Sequence, residues 1–143
     1  MCIRDSSTGY PRVVAAPTIA AAAQHGYRPG ATVCADDVPA GRPAPWMIFR
    51  NMEELGVYPP AAVLKVGDTI PDIQAGINAG VRTIGITATG SEVGLGEEEW
   101  GQLTSDAQQQ AIDRAAAVLQ AAGADAILSS IAQLPDWLDQ HGS

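Results

Sequence analysis

Asp68 and Asp72 stand four residues apart in Lys65-Val66-Gly67-Asp68-Thr69-Ile70-Pro71-Asp72, at the end of an apolar run. Carboxylates across such a turn are hard oxygen ligands. Mg²⁺ takes one or two of these together with phosphate oxygens and water. Asp68 is placed to hold the metal, and Asp72 is close enough to support it. The competing reading makes Asp68 a turn former and Asp72 a charge at a helix N-terminus. Arg42 precedes a proline-started segment, where its guanidinium can fork onto phosphate oxygens. The alternative for Arg42 is an ion pair with Asp36 or Asp37. Thr8 and Gly9 precede an Ala-rich helix, where a hydroxyl and free N–H groups make a phosphate cradle. Ser7 is the second choice for that hydroxyl, and simple helix capping is the plainer role for both.

The elements that must position these residues alternate between helix and strand. Arg12 to His25 is Ala-rich and helical, ending at Gly26, and Ala31 to Cys34 is a short strand. Pro43 opens a helix that runs through Trp46, Met47 and Phe49 to Leu55 and closes at Gly56. Trp46 and Met47 fall on its apolar face and are expected in the core. Residues 61–66 form an apolar strand, and Gly67 lets the chain turn at its carboxyl end. Pro71 suits the first turn of a helix that runs to Ala79 and stops at Gly80. Residues 82–87 make a strand, and 88–104 an acidic, glycine-containing loop with a short helical piece, expected to be solvated. A long helix over 105–122, a strand over 125–128 and a helix over 130–140 complete the pattern. Strands separated by helices predict an α/β fold with a parallel, Rossmann-like sheet and crossover helices on both faces. Ligands of such sheets bind beyond the carboxyl ends of the strands. Met1 to Asp5 is too short and polar to supply the strand expected before Ser7-Thr8-Gly9. Residues 1–6 therefore look like a non-native start, with 7–143 as one domain.

The chain has 143 residues, 46% of them apolar, and a net charge of −8. That is enough chain for one domain with a core. The charge argues against nonspecific nucleic-acid binding and against an anionic membrane surface. Cys2 and Cys34 are the only cysteines, which is no disulfide framework and makes a reducing, cytoplasmic compartment the default. No run is long enough to span a membrane. No apolar signal stretch is visible at Met1-Cys2-Ile3-Arg4-Asp5. His25 and His141 lack metal-ligand spacing.

A hydroxyl, then a cation, then Gly-Asp-x-x-x-Asp, each after a strand, resembles the haloacid dehalogenase superfamily. Ser7-Thr8-Gly9-Tyr10, the run Val38-Pro39-Ala40-Gly41-Arg42-Pro43-Ala44-Pro45-Trp46-Met47, Leu55 to Pro59 and Lys65 to Asp72 narrow the resemblance. They are similar to the phosphonoacetaldehyde hydrolase family. What the resemblance implies is cleavage of the C–P bond of phosphonoacetaldehyde, a small-molecule substrate, to acetaldehyde and phosphate. A Schiff-base lysine and an aspartyl-phosphate would carry the reaction, with Mg²⁺ as cofactor. Thr8, Gly9 and Arg42 would bind the phosphonate, Asp68 the metal, and Asp72 would support it. The nucleophilic aspartate and the Schiff-base lysine belong to an N-terminal motif and a cap domain, which are not recognisable here. Lys65 is the only lysine and lies on the strand before Gly67-Asp68. The resemblance thus implies a C-terminal core portion, inactive alone and homodimeric at full length. The alternatives are another phosphatase or phosphomutase of the superfamily, or a non-catalytic phosphate-binding or interaction domain.

Overall fold

The computed structural model describes residues 4–88 and 90–141, so Cys2 lies outside it. Its strands are parallel and form two sheets. β1 (Ser6–Ser7) pairs with β2 (Thr32–Val33), Ser6 beside Thr32. β3 (Leu64–Gly67), β4 (Arg82–Ile86) and β5 (Ala126–Leu128) form the second sheet in that spatial order. Among the described residues no backbone hydrogen bond joins β1 to β3, although Lys65 Nζ lies 3.5 Å from Ser7 Oγ. Ser6 and Thr8 donate to Ala31 and Val33 on the β2 side, each at 3.0 Å. The two-residue alternation of a strand then turns the Ser7 N–H and C=O away from β2.

The strand ahead of Thr8, expected to be absent, is therefore present in short form. Pairing rather than burial makes it, since Gly30 N–H also donates to Arg4 O at 2.7 Å.

β4 is the centre of the larger sheet, with Thr83 and Ile84 fully buried. α3 (Ile70–Ala79) and α5 (Ser105–Ala121) cover the face that carries Thr83 and Gly85. A Cβ on Gly76 of α3 would collide with Thr83, and one on Gly85 would press on Leu119 of α5. α5 buries Ala111, Ala115 and Leu119 at four-residue spacing, the stripe of an amphipathic helix. On the opposite face Arg82 lies 5.0 Å from the Trp137 ring of α6 (Leu134–His141), a cation–π contact. The two crossover helices of this sheet thus share one face rather than covering both as expected, and α6, which follows the last strand, lies on the other. No helix among the described residues is long and apolar enough to cross a membrane.

Two boundaries differ from expectation. α2 is Trp46–Leu55, starting three residues after Pro43. Pro43 and Pro45 lack N–H donors, and a residue before proline is pushed away from helical angles, so Ala44 cannot open the helix. Pro60–Ala62 forms a 3-10 turn, which shifts the strand to Leu64–Gly67. α2 and α3 close at Gly56 and Gly80, both left-handed at φ 64° and 70°. Met47 is buried at 2% exposure, but Trp46 is not core, at 47%. As the first residue of α2 it stands at the rim of the packed face, its ring edge to face with Phe49 at 6.2 Å and beside Val38 and Pro39 in a shallow hollow. α1 (Arg12–Gln24) buries Ala15 alone among its residues and leaves Val13 80% exposed.

Candidate anion and metal site

β3, the turn that follows it and the loop carrying Arg42 converge on Asp72. Thr69 caps α3, its Oγ1 accepting from Asp72 N–H at 3.4 Å, and Pro71 sits in the first turn. Asp72 thus enters the helix facing inward. Its side chain lies directly over Gly67, where any Cβ would collide with Asp72 Cβ. Gly67 is glycine for this close approach rather than for the sharp turn expected, since it is not among the positive-φ glycines.

Asp72 has a side-chain exposure of 3%. Its Oδ1 receives Arg42 Nη1 at 2.7 Å and Lys65 Nζ at 2.9 Å. Its Oδ2 accepts from the Thr69 hydroxyl at 2.6 Å. Burial works to raise the Asp72 pKa. The Lys65 charge and the hydrogen bonds from Thr69, Arg42 and Lys65 outweigh it and hold the group at about 2. Arg42 therefore does not pair with Asp36 or Asp37. Arg12 takes that place, its backbone N–H on Asp36 Oδ1 at 2.8 Å and its guanidinium on Asp37.

Arg42 stays partly open, at 27% side-chain exposure, and its Nη2 lies against Gly9, leaving no space for a Cβ there. Gly9, Gly41, Arg42, Thr69 and Pro71 line an open cleft. Thr8 does not cap α1, because Pro11 holds the N-cap position. Its Oγ1 instead accepts from Tyr10 N–H at 3.2 Å and fixes the turn beside the cleft.

Asp68 is held from a side the sequence did not suggest. Ser91, in the 88–104 segment expected to be solvated, donates to Asp68 Oδ2 through N–H at 2.8 Å and through its hydroxyl at 2.7 Å. Gly90 permits this, since a Cβ there would sit 2.9 Å from Asp68 Cβ and 2.5 Å from Ile86 O. Ser91 and Thr69 are the residues that sequence reasoning missed. The Thr69-x-x-Asp72 spacing is that of a capping box and could have revealed Thr69. Ser91 carries no such signal, being 23 residues from its partner.

The donor set fits Mg²⁺ through Asp68 alone. Asp68 keeps Oδ1 free of the Ser91 contacts, whereas each Asp72 oxygen is already engaged. A cation with one direct carboxylate and otherwise phosphate oxygens and water is within the usual range for this ion.

Replacement of Asp72 by Asn tests the clamp. A carboxylate lowered in the fold contributes stability that is complete above its unfolded value of 3.8 and disappears as pH falls toward about 2. That contribution is about 2 kcal/mol. Urea unfolding across this range is expected to show a steep acid limb for the native chain and a shallower one for Asp72→Asn. Parallel limbs would dismiss the clamp as a source of stability.

A parallel α/β fold with this constellation at its strand ends defines a haloacid dehalogenase-like hydrolase. The family model of that description matches residues 7–80, and the chain belongs to the family. Within it, the chain is homologous to phosphonoacetaldehyde hydrolases. It is 44% identical to the phosphonoacetaldehyde hydrolase of Vibrio cholerae over 136 residues, covering 94% of this chain and 50% of that protein. It is also 44% identical to a phosphonoacetaldehyde hydrolase-like protein of Syntrophobacter fumaroxidans over 130 residues, 91% of this chain and 47% of that one. The crystal structure of a phosphonoacetaldehyde hydrolase-like protein from Oleispira antarctica superposes with a TM-score of 0.91. That match has 40% identity and covers 95% of this chain and 49% of the other. The chain spans about half the length of the curated relatives it matches.

Proposed function

We propose that this chain carries the phosphonate- and metal-binding half of a phosphonoacetaldehyde hydrolase site. The observation that carries the reading is Arg42, fixed by buried Asp72 and turned toward Gly9 and the Thr8 turn, with Asp68 in the turn that leads from β3 to Asp72. Arg42 and the cleft N–H groups bind and orient the phosphonate. Mg²⁺, when bound at Asp68 Oδ1, supplies positive charge to the phosphoryl oxygens. Ser91 keeps that carboxylate aimed.

Two chemical groups of the reaction are assigned outside this chain. A Schiff-base amine must be unprotonated to attack an aldehyde. Lys65, the only lysine, has its Nζ engaged in an ion pair with buried Asp72. A nucleophilic carboxylate must have a free oxygen facing phosphorus. Asp72 has none and Asp68 is committed to the metal. Among the described residues nothing pairs with the outer edges of β1 and β3, which supports the assignment, because a strand lying between them would end near Thr8 and Asp68.

Calorimetry with inorganic phosphate and methylphosphonate tests the binding half. Arg42→Ala is expected to weaken both by tenfold or more, about 1.5–3 kcal/mol for hydrogen bonds to a charged group. Equal affinity in Arg42→Ala would remove Arg42 from the site and the reading with it.

A further inference from the structure

Lys65 is the second cation on Asp72, and the proposed function gives it no task. Its stem packs where Gly76 leaves room, and its side chain is 13% exposed, deeper than Arg42. Nζ lies 2.9 Å from Asp72 Oδ1, the same oxygen that receives Arg42 Nη1. It is also 3.5 Å from Ser7 Oγ, so one side chain touches both sheets. The second Asp72 oxygen is taken by Thr69. Asp5 is the other carboxylate close enough to sense the Lys65 charge, but no ion pair joins them among the described residues.

An arginine alone with a carboxylate tends to the fork, two parallel N–H···O bonds. Here the guanidinium reaches Asp72 through Nη1 only, while Nη2 lies against Gly9 in the cleft. We propose that Lys65 is a positioning residue of the anion site. By sharing Asp72 Oδ1 it holds Arg42 to a single-nitrogen contact and keeps Nη2 available for a phosphonate or phosphate oxygen. Without Lys65, the buried carboxylate turns to Arg42 for all its charge balance and draws the guanidinium inward. The identity of the anion rests on the proposed function; the geometry of the triad does not.

The test uses the 143-residue chain and inorganic phosphate in magnesium-free buffer. Lys65→Met is expected to weaken phosphate binding about tenfold, and Lys65→Arg to recover it to within about threefold. Lys65→Gln serves the same comparison if the methionine variant does not fold. In an Asp72→Asn background the Lys65 change is expected to cost less than about twofold, because Lys65 acts through Asp72. Equal losses in both backgrounds, or no loss in the native background, would overturn the proposal. A ligand-free arm separates it from the proposed function. In ¹⁵N NMR spectra, Lys65→Met is expected to slow rotation about the Arg42 Nε–Cζ bond as a second contact to Asp72 forms. If the native chain binds no phosphate, the proposed function falls and this arm alone decides. Unchanged Arg42 signals would then reject the role of Lys65.

Discussion

Purified chain mixed with phosphonoacetaldehyde and Mg²⁺ is expected to release no acetaldehyde above the uncatalysed background. The site as folded offers binding groups, but its lysine and its buried aspartate neutralise each other. A reaction of this class needs both a free amine and a free carboxylate. Joined to the half of the Vibrio cholerae relative that it does not match, the same sequence is expected to turn over. In that chimera Arg42→Ala or Asp68→Asn should lower kcat/KM by about 10² to 10³, the range for removing one preorganised charge-stabilising group. A coupled assay that reduces acetaldehyde reads both results. Acetaldehyde released by the chain alone would place the nucleophile within it and defeat the half-site reading.

Gly67→Ala is expected to cost about 3 kcal/mol, the upper end for overpacking a closed site. The added methyl would occupy the space of Asp72 Cβ. Asp72 cannot retreat, because Arg42, Lys65 and Thr69 hold its carboxylate from three directions. Phosphate affinity should fall in the same variant, since Arg42 is positioned from that carboxylate. Gly101→Ala is the control. It lies in the short helix Glu97–Gln102 with nothing within 4 Å of a new Cβ. Alanine in a helix interior should stabilise it by about 0.5–1 kcal/mol. Urea midpoints for the two variants decide the matter, and similar midpoints would show that the Gly67 contact relaxes without strain.

The helices and strands were legible because their signals are local. Gly56 and Gly80 stop helices by accepting a left-handed angle, and α5 announces its buried face through Ala111, Ala115 and Leu119. Boundaries slipped where proline chemistry intervened, at Pro43–Pro45 and Pro59–Pro60. The Trp46 assignment failed for a related reason. Helical periodicity says which residues share a face, but not that a face ends where the helix starts.

By itself the sequence determined the αβ alternation, the parallel strands, and that Thr8, Arg42, and Asp68 with Asp72 lie in the segments following β1, β2 and β3. Each of these follows from contacts a few residues long or from strand-end placement in a parallel sheet. Only the tertiary structure decided which charges meet. Asp36 and Asp37 are near neighbours of Arg42 in sequence, yet Arg42 crosses 30 residues to Asp72. Ser91 reaches Asp68 from a loop that looked solvated, and Lys65 shares the carboxylate that Arg42 uses. Such pairings depend on distances between separate elements. A buried carboxylate takes whichever cations the packing of the sheet and α3 brings within reach, and order along the chain does not encode that.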